Sequence, residues 1–354
     1  MPRALPQPPS GASQGVVVYR RTGEVDAIDQ HSVRLVAALC EGGLASVYAS
    51  GGLSRAVVRA AGARWILLQY NPFSYGPCGF APGIVREAVT LRYRDRVPLV
   101  VFVHEAWVAT GGCRRTLMSG YQRAQLMTLL RAADAVIVTT EQLERLVGAG
   151  AVHVPVSSNV APVSLDAGAA RARLGIGAGP VVALFGSSHP TNAGDYADAA
   201  IDALAQRHGA ERLTVLSLGA TAPAPNVSQG VAVHSPGALD EATLSLHLRA
   251  SDLLLLPFTD GVSTRRTTLM AGLAHGLSVV GMHDPRTDRV LLQHPEALVL
   301  TAGGDRAAFA AAAVALSEDD ARRRATGRAA RRLYEQAFDW PVAARRVAAV
   351  IRRL

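Results

Sequence analysis

The sequence predicts an α/β protein made of two doubly wound, Rossmann-like parallel-sheet domains facing one another across a cleft. Three observations carry this reading. Short apolar runs suited to buried strands alternate with helical patterns through most of the 354 residues, the order that covers parallel sheets with helices on both faces. The alternation pauses around residues 164–170, in VSLDAGAA, which reads as a linker, and then resumes with the same architecture. The chain is also long enough for two domains, each with its own core.

In the first half, strands are expected at 16–19, 45–48, 65–69, 99–103, 135–139 and 152–155. Residues 32–39, 53–61 and 119–132 carry helical apolar spacing, and Thr140-Glu141 opens a further helix. The second half brings a strand at 181–185, a Gly-containing loop, a helix from about 195 to 207 and a strand at 213–216. Next comes SDLLLLPFTDGVSTRRTTLMAGLAHGLSVVG: a strand at 253–257, a polar loop with two adjacent arginines, a small-residue helix closed by Gly276 and a strand at 277–280. The alanine-rich run 307–316 reads as a packed helix, because a bilayer span needs roughly twenty apolar residues. Residues 1–15, rich in Pro, Gly and Ser without a signal-peptide core, read as a disordered leader with no sign of secretion. The expected division is 16–165 for the first domain, 166–340 for the second, and a last helix, 341–354, crossing back to the first.

Composition narrows the chemistry. Cys40, Cys78 and Cys113 lie far apart without paired spacing, which argues against a disulfide framework and a zinc site and fits a reducing cytoplasm. All 36 basic residues are arginine, so no lysine-based mechanism is open to this chain. A net charge of +8 could suggest nucleic acid, yet ten arginines fall within residues 322–353 in helical segments without interleaved aromatics or a helix-turn-helix pattern. A solvated helix face accounts for that stripe, with peripheral membrane contact through the Arg-rich C-terminal region as the second reading.

The most informative chemistry sits in the loop before Gly276. A loop turning into a helix presents unpaired N–H groups and the positive end of the helix dipole, an arrangement suited to an anion. Arg265 and Arg266 stand where that anion would bind. The dipole is worth only about half a charge against roughly two on a diphosphate, so at least one guanidinium is required. The Gly186-Ser187-Ser188 turn, followed by His189 and Asn192, could add backbone donors or be an ordinary strand-helix turn. At the ends of first-half strands, His104-Glu105, Gln69-Tyr70-Asn71 and Ser157-Ser158-Asn159 could hydrogen-bond hydroxyl groups, although such residues also form ordinary turns.

Several segments, in this order, resemble nucleotide-sugar-dependent glycosyltransferases of the GT-B fold, in the large retaining family often called family four, on its actinobacterial branch. They are LLQYNPFSYG, VVFVHEAW, RAADAVIVTTEQLERL and VPVSSNV, then RARLGIGAGPVVALFGSSHP, LRASDLLLLPFTDGVSTRRTTLMAGLAHGLSVVG and FDWPVAARRV. In that family a P-S-x-x-E-G-F-G loop precedes the donor-site helix and its carboxylate contacts the transferred sugar. Asp260-Gly261 is the counterpart here, one residue nearer the proline, and the loop is longer. The resemblance implies a donor site of Gly186, Ser187, Ser188, His189, Asp260, Gly261, Val262, Ser263, Thr264, Arg265, Arg266 and Thr267. It implies acceptor contacts from Tyr70, Asn71, His104, Glu105, Ser158 and Asn159, with His104, Asp260 and Arg266 closest to the chemistry.

This chain departs from the family at three points. The ribose-gripping glutamate falls at Ala271, the phosphate-binding Arg and Lys are replaced by neutral SSHPTNAG, and the glycine loop after the first strand is poorly matched by Gly23-Glu24. Arg265 and Arg266 are therefore expected to carry the phosphate charge. No Asp-x-Asp triplet is present, so the expectation is metal-independent transfer without a cofactor, from a nucleotide-sugar donor to a hydroxylated small molecule such as a natural product in antibiotic biosynthesis. Alternatives are a glycolipid or cell-envelope acceptor, a nucleotide-sugar epimerase of the same fold, and a catalytically silent partner protein.

Overall fold

The computed structural model describes residues 14–20, 22, 26–222 and 224–354. The expectations for residues 1–13 of the leader and for Gly23-Glu24 lie outside the described residues. The chain forms two compact units, one of residues up to Asn159 together with Trp340–Leu354, the other Val160–Asp339.

The first unit runs β1 (Gly15–Val18), α1 (Ala27–Glu41), β2 (Ser46–Ala49), α2 (Arg55–Ala60), β3 (Trp65–Tyr70), α3 (Pro82–Tyr93), β4 (Leu99–Val103), α4 (Gly112–Ala132), β5 (Ala135–Val138), α5 (Glu141–Val147) and β6 (Ala151–His153). Its sheet is parallel throughout, in the order β2-β1-β3-β4-β5-β6. Side chains alternate across it. Val17, Leu67, Phe102 and Ile137 face one apolar layer, and Val16, Leu68, Val103 and Val138 face the other. Burial on both faces is why these strands read as continuous apolar runs.

The second unit contains α6 (Ala167–Leu174), β7 (Val181–Phe185), α7 (Gly194–His208), β8 (Thr214–Leu218), β9 (Ala232–His234), α8 (Glu241–Ala250), β10 (Leu253–Leu256), α9 (Thr267–His275), β11 (Ser278–His283), α10 (Arg289–Leu292), β12 (Leu298–Ala302), α11 (Arg306–Glu318) and α12 (Asp320–Ala337). Its parallel sheet is ordered β9-β8-β7-β10-β11-β12. The chain ends in α13 (Trp340–Ile351), whose Ala344, Val347 and Ile351 join the layer of the first unit that also holds Leu35 and Leu39 of α1.

Two expectations need correction. Residues 167–170 are not linker but the first turn of α6, because the Asp166 carboxylate accepts from the Ala169 N–H at 2.8 Å and starts the helix. α4 begins at Gly112 rather than 119, since residues 112–117 are exposed on every side and carry no apolar periodicity.

Arginine replaces lysine as a packing device here. Asp252, just before β10, accepts from Arg171 at 2.6 Å and from the Val181 N–H at 2.9 Å, while Arg249 donates to the carbonyls of Leu165 and His275. Arg171, Arg249, Asp252 and His275, with Asp320 and Arg323, line a cavity of about 590 Å³ at the amino ends of β10 and β11. Arg171, Arg249 and Arg323 are committed to carbonyls or aspartates, so this cavity is a brace at the end of the sheet remote from the loops described next.

Candidate functional site

In the second unit the strand order reverses between β7 and β10, whose following loops leave the sheet at adjacent carboxyl ends. Doubly wound sheets bind ligands at such a switch point. The two loops are zipped together: Ala193 N–H donates to Pro257 O at 2.8 Å and Thr259 N–H to Thr191 O at 2.8 Å. Gly186 ends β7 so close to the start of α9 that a Cβ there would lie 3.6 Å from Thr268.

Arg266 occupies the N-cap position of α9 with extended backbone, and no side chain caps that helix. In the same unit α6, α8, α11 and α12 are each capped by an aspartate, while α7 and α10 share with α9 the lack of a side-chain cap. The mouth of α9 therefore keeps its first-turn donors for an outside acceptor. The Arg266 guanidinium lies 3.9 Å from the centroid of the Phe258 ring, donates to Thr191 Oγ1 at 3.1 Å and is paired with Asp260. Arg265 reaches the other Asp260 oxygen at 3.2 Å. One carboxylate holds both guanidiniums, and the stack on Phe258 with the fork to Thr191 and Asp260 fixes the plane of Arg266. Arg266 and Asp260 are only 14% and 12% exposed, whereas Arg265 is 35% exposed, so Arg266 is the more closely held cation and Arg265 the more solvated one.

A second loop fixes the first. Asp288, fully buried, accepts from the Thr264 N–H at 2.7 Å and its hydroxyl at 2.8 Å. Gly261 has φ +69, and a Cβ there would lie 2.5 Å from Thr287 Oγ1, so the loop needs glycine both for its backbone and for this contact. Replacing Asp288 with Asn is expected to cost about 1–2 kcal/mol of stability, since two charge-assisted bonds weaken. Denaturant titration of the variant checks this.

The expected donor residues divide accordingly. Asp260, Arg265, Arg266 and Thr267 come together at the mouth of α9, and Ser187, Ser188 and His189 are exposed on the loop after β7. Val262 and Thr264 do not face a ligand: both are wholly buried, Val262 against the Gly281 backbone and Thr264 on Asp288. Ser263 is 7% exposed, and its carbonyl accepts from the Arg266 N–H at 3.1 Å. The Gly186–Ser188 turn offers fewer amides than expected, because Gly186 N–H donates to Leu218 O and Ser188 N–H to Thr221 O. Asp288 escaped the sequence reading. It follows a strand in HDPRTD like an ordinary cap, but its side chain turns to Thr264 instead of its own helix.

In the first unit, His104 closes β4. Its ring stacks on Phe102 at 4.9 Å, meets His31 edge-on at 5.4 Å and, through Nε2, lies 2.6 Å from Gln69 Oε1. His31 packs on Trp340, whose indole N–H donates to Ser158 O at 2.8 Å, and Asn159 Nδ2 donates to Ala27 O at 2.9 Å. Desolvation pushes His31 down to about 4 and His104 well below the usual histidine range, His31 adding to the latter shift. Both rings are neutral at pH 7. Both His31 nitrogens, Gln69 Nε2 and Asn159 Oδ1 are buried here without a hydrogen-bond partner among the described residues.

Of the expected acceptor residues, His104, Ser158 and Asn159 join this cluster, and Glu105 follows directly, half-buried. Tyr70 does not, because strand alternation turns it to the opposite layer, where it stacks on Tyr75. Asn71 is a turn former, accepting from the Phe73 N–H at 3.0 Å. His31 was missed because a helical position says only that a residue is buried. Gln69, singled out with Tyr70 and Asn71 for contact with a hydroxyl group, turns its side chain to His104 instead. Among the described residues no group of three His, Cys, Asp or Glu side chains could hold a metal, and no helix is long and apolar enough to cross a membrane.

No protein-family model matches the sequence, and no curated protein matches it either. Solved structures do match in fold. Anabaena HepE, in complex with UDP and glucose, is 14% identical with a TM-score of 0.67 over 97% of this chain and 100% of its own. WaaG, a glycosyltransferase involved in lipopolysaccharide biosynthesis, is 14% identical with a TM-score of 0.62 over 96% and 99%. A putative UDP-N-acetylglucosamine 2-epimerase from Listeria monocytogenes is 11% identical with a TM-score of 0.61 over 96% of each chain. The fold class is thus the GT-B architecture of two parallel six-stranded sheets with flanking helices. At these identities the likeness is one of fold.

Proposed function

We propose that this protein is a glycosyltransferase that takes a sugar from a nucleotide diphosphate donor held in its second unit and passes it to a hydroxyl group. The observation that carries the reading is the positioned Arg266 at the uncapped mouth of α9, on the switch point between β7 and β10. In the transfer, the bond from C1 of the sugar to the diphosphate oxygen breaks and its electron pair leaves with the diphosphate. The acceptor oxygen bonds to C1 and its proton passes to the leaving phosphate. Arg266, Arg265 and the first-turn amides of α9 offset the charge that grows on the diphosphate. Asp260 orients both guanidiniums, and the neutral His104 orients the acceptor hydroxyl. Retention is the stereochemical outcome that the family resemblance supports.

UDP is the first donor nucleotide to test, because HepE is seen with UDP and with UDP-glucose. Thermal melts with UDP, GDP and dTDP measure this, and a hundredfold excess over Kd is expected to add about 2.7 kcal/mol of stability. Absence of a shift with all three nucleotides and their sugars would remove the donor site. The fold of the Listeria protein favours one second reading, an epimerase. It would convert the donor without an acceptor, whereas a transferase consumes donor in proportion to a glycosylated hydroxyl product.

A further inference from the structure

We propose that Gln69 is a positioning residue that locks the His104 imidazole in its Nε2–H tautomer, leaving the Nδ1 lone pair to accept a hydrogen bond from a substrate hydroxyl. This deepens the role given to His104 above and rests on that reading only for the identity of the group received.

Three constraints meet on one ring. One face is covered by Phe102, stacked at 4.9 Å and 18° between planes, and His31, 5.4 Å from His104 and 5.7 Å from Phe102, packs beside that stack at 81° to the His104 ring. Its position along β4 is set by its own backbone N–H, which donates to Tyr70 O at 2.9 Å in continuation of the β3–β4 ladder. Its remaining rotation is fixed at Nε2, 2.6 Å from Gln69 Oε1. An amide oxygen can only accept, so the proton of the neutral ring sits on Nε2 and the lone pair on Nδ1. Gln69 is wholly buried and its Nε2 has no partner, so the side chain is committed through its oxygen.

The surroundings make this a tautomer device and not a charge device. Gln69 on β3, Phe102 on β4, His31 on α1 and Thr139 after β5, whose hydroxyl contacts His104 O, are all uncharged at pH 7, and His31 is the one titratable neighbour among them. Among the described residues no carboxylate is paired with the ring to support an imidazolium. A neutral ring with a defined lone pair can orient a hydroxyl without taking its proton outright, which suits a reaction in which the leaving phosphate receives that proton.

Long-range ¹⁵N–¹H correlation spectra of the histidine-labelled full-length protein test this without any substrate, with His104→Asn to assign the ring. The expected result is an Nε2–H tautomer for His104 at pH 7. In Gln69→Glu the acceptor is kept and a charge added, so the ring should stay Nε2–H and titrate about one unit or more higher. Gln69→Leu should give a mixture of tautomers while its far-ultraviolet spectrum matches wild type. A wild-type ring protonated on Nδ1, or a folded Gln69→Glu whose His104 titrates as in wild type, overturns the proposal. If Gln69→Glu does not fold, the wild-type tautomer decides alone. These readouts do not depend on turnover, so they separate failure of the positioning role from failure of the transferase reading.

Discussion

Arg266→Ala is expected to lower the rate of sugar transfer by roughly 10²–10³, equivalent to about 2.7–4 kcal/mol of lost transition-state stabilisation, while the protein stays folded. The magnitude follows from where the charge sits. Arg266 is held by Phe258, Thr191 and Asp260, so its guanidinium spends no reorganisation when charge develops on the diphosphate. Folding should survive because the residue lies on a loop braced independently by Asp288 and Thr264. Arg266→Lys should recover little, since an ammonium cannot both stack on the ring and hold a fork toward Asp260 and Thr191. Arg265→Ala should cost less, in line with its greater exposure and longer contact to Asp260. Steady-state rates on any donor that the melts identify provide the measurement, and an Arg266→Ala enzyme within a few-fold of wild type would take this residue out of the mechanism.

Acid should destabilise both units well before the carboxylates titrate. Burial holds His31 in the first unit and His275 in the second at about 4. His275 is kept neutral by burial, with the Arg249 and Arg331 charges adding to it against the opposing bond from Nδ1 to Ala271 O at 2.7 Å, and its Nε2 lies 2.8 Å from Ser245 Oγ. In the unfolded chain a histidine takes up its proton near pH 6.5, so between that value and 4 the unfolded state binds more protons than the folded one. Stability is therefore fully present above pH 6.5 and is lost as pH falls toward 4. The loss from pH 7 to pH 5 is about 2 kcal/mol for each histidine, a large share of a typical folding free energy. His104, also shifted downward, adds to the first unit in the same direction. Denaturant titrations at pH 7, 6 and 5 report the slope, and His31→Phe should flatten it. A His31→Phe protein with unchanged pH dependence would show that the His31 ring is not buried neutral.

Much of the fold was legible because its strands are buried on both faces. Runs such as LVVFV and LLLL need no periodicity analysis to be read as interior strands, and Gly276, expected to close the helix, ends α9 at φ +66. What the pattern hid was whatever lacks an apolar signature. The first turns of α4 are exposed all round, and the start of α6 sits inside a polar stretch. At the candidate site, the paired arginines stood out by type and position and Asp260 through the family resemblance, yet their mutual pairing could not be read from the sequence. Side chains that act through distant partners were the hardest to see. Asp288 acts on a residue 24 positions earlier, and Gln69 acts on a ring 35 positions later. Such contacts exist only once parallel strands bring their carboxyl ends together.

The central claim, that Arg266 and the mouth of α9 hold a nucleotide diphosphate, is tested most directly by calorimetric titration of UDP, GDP and dTDP into wild-type protein and Arg266→Ala. The account predicts that wild type binds at least one of the three and that the variant binds it at least about tenfold more weakly, a difference near 1.4 kcal/mol. Equal affinity for the two proteins, or no binding by wild type, would contradict it.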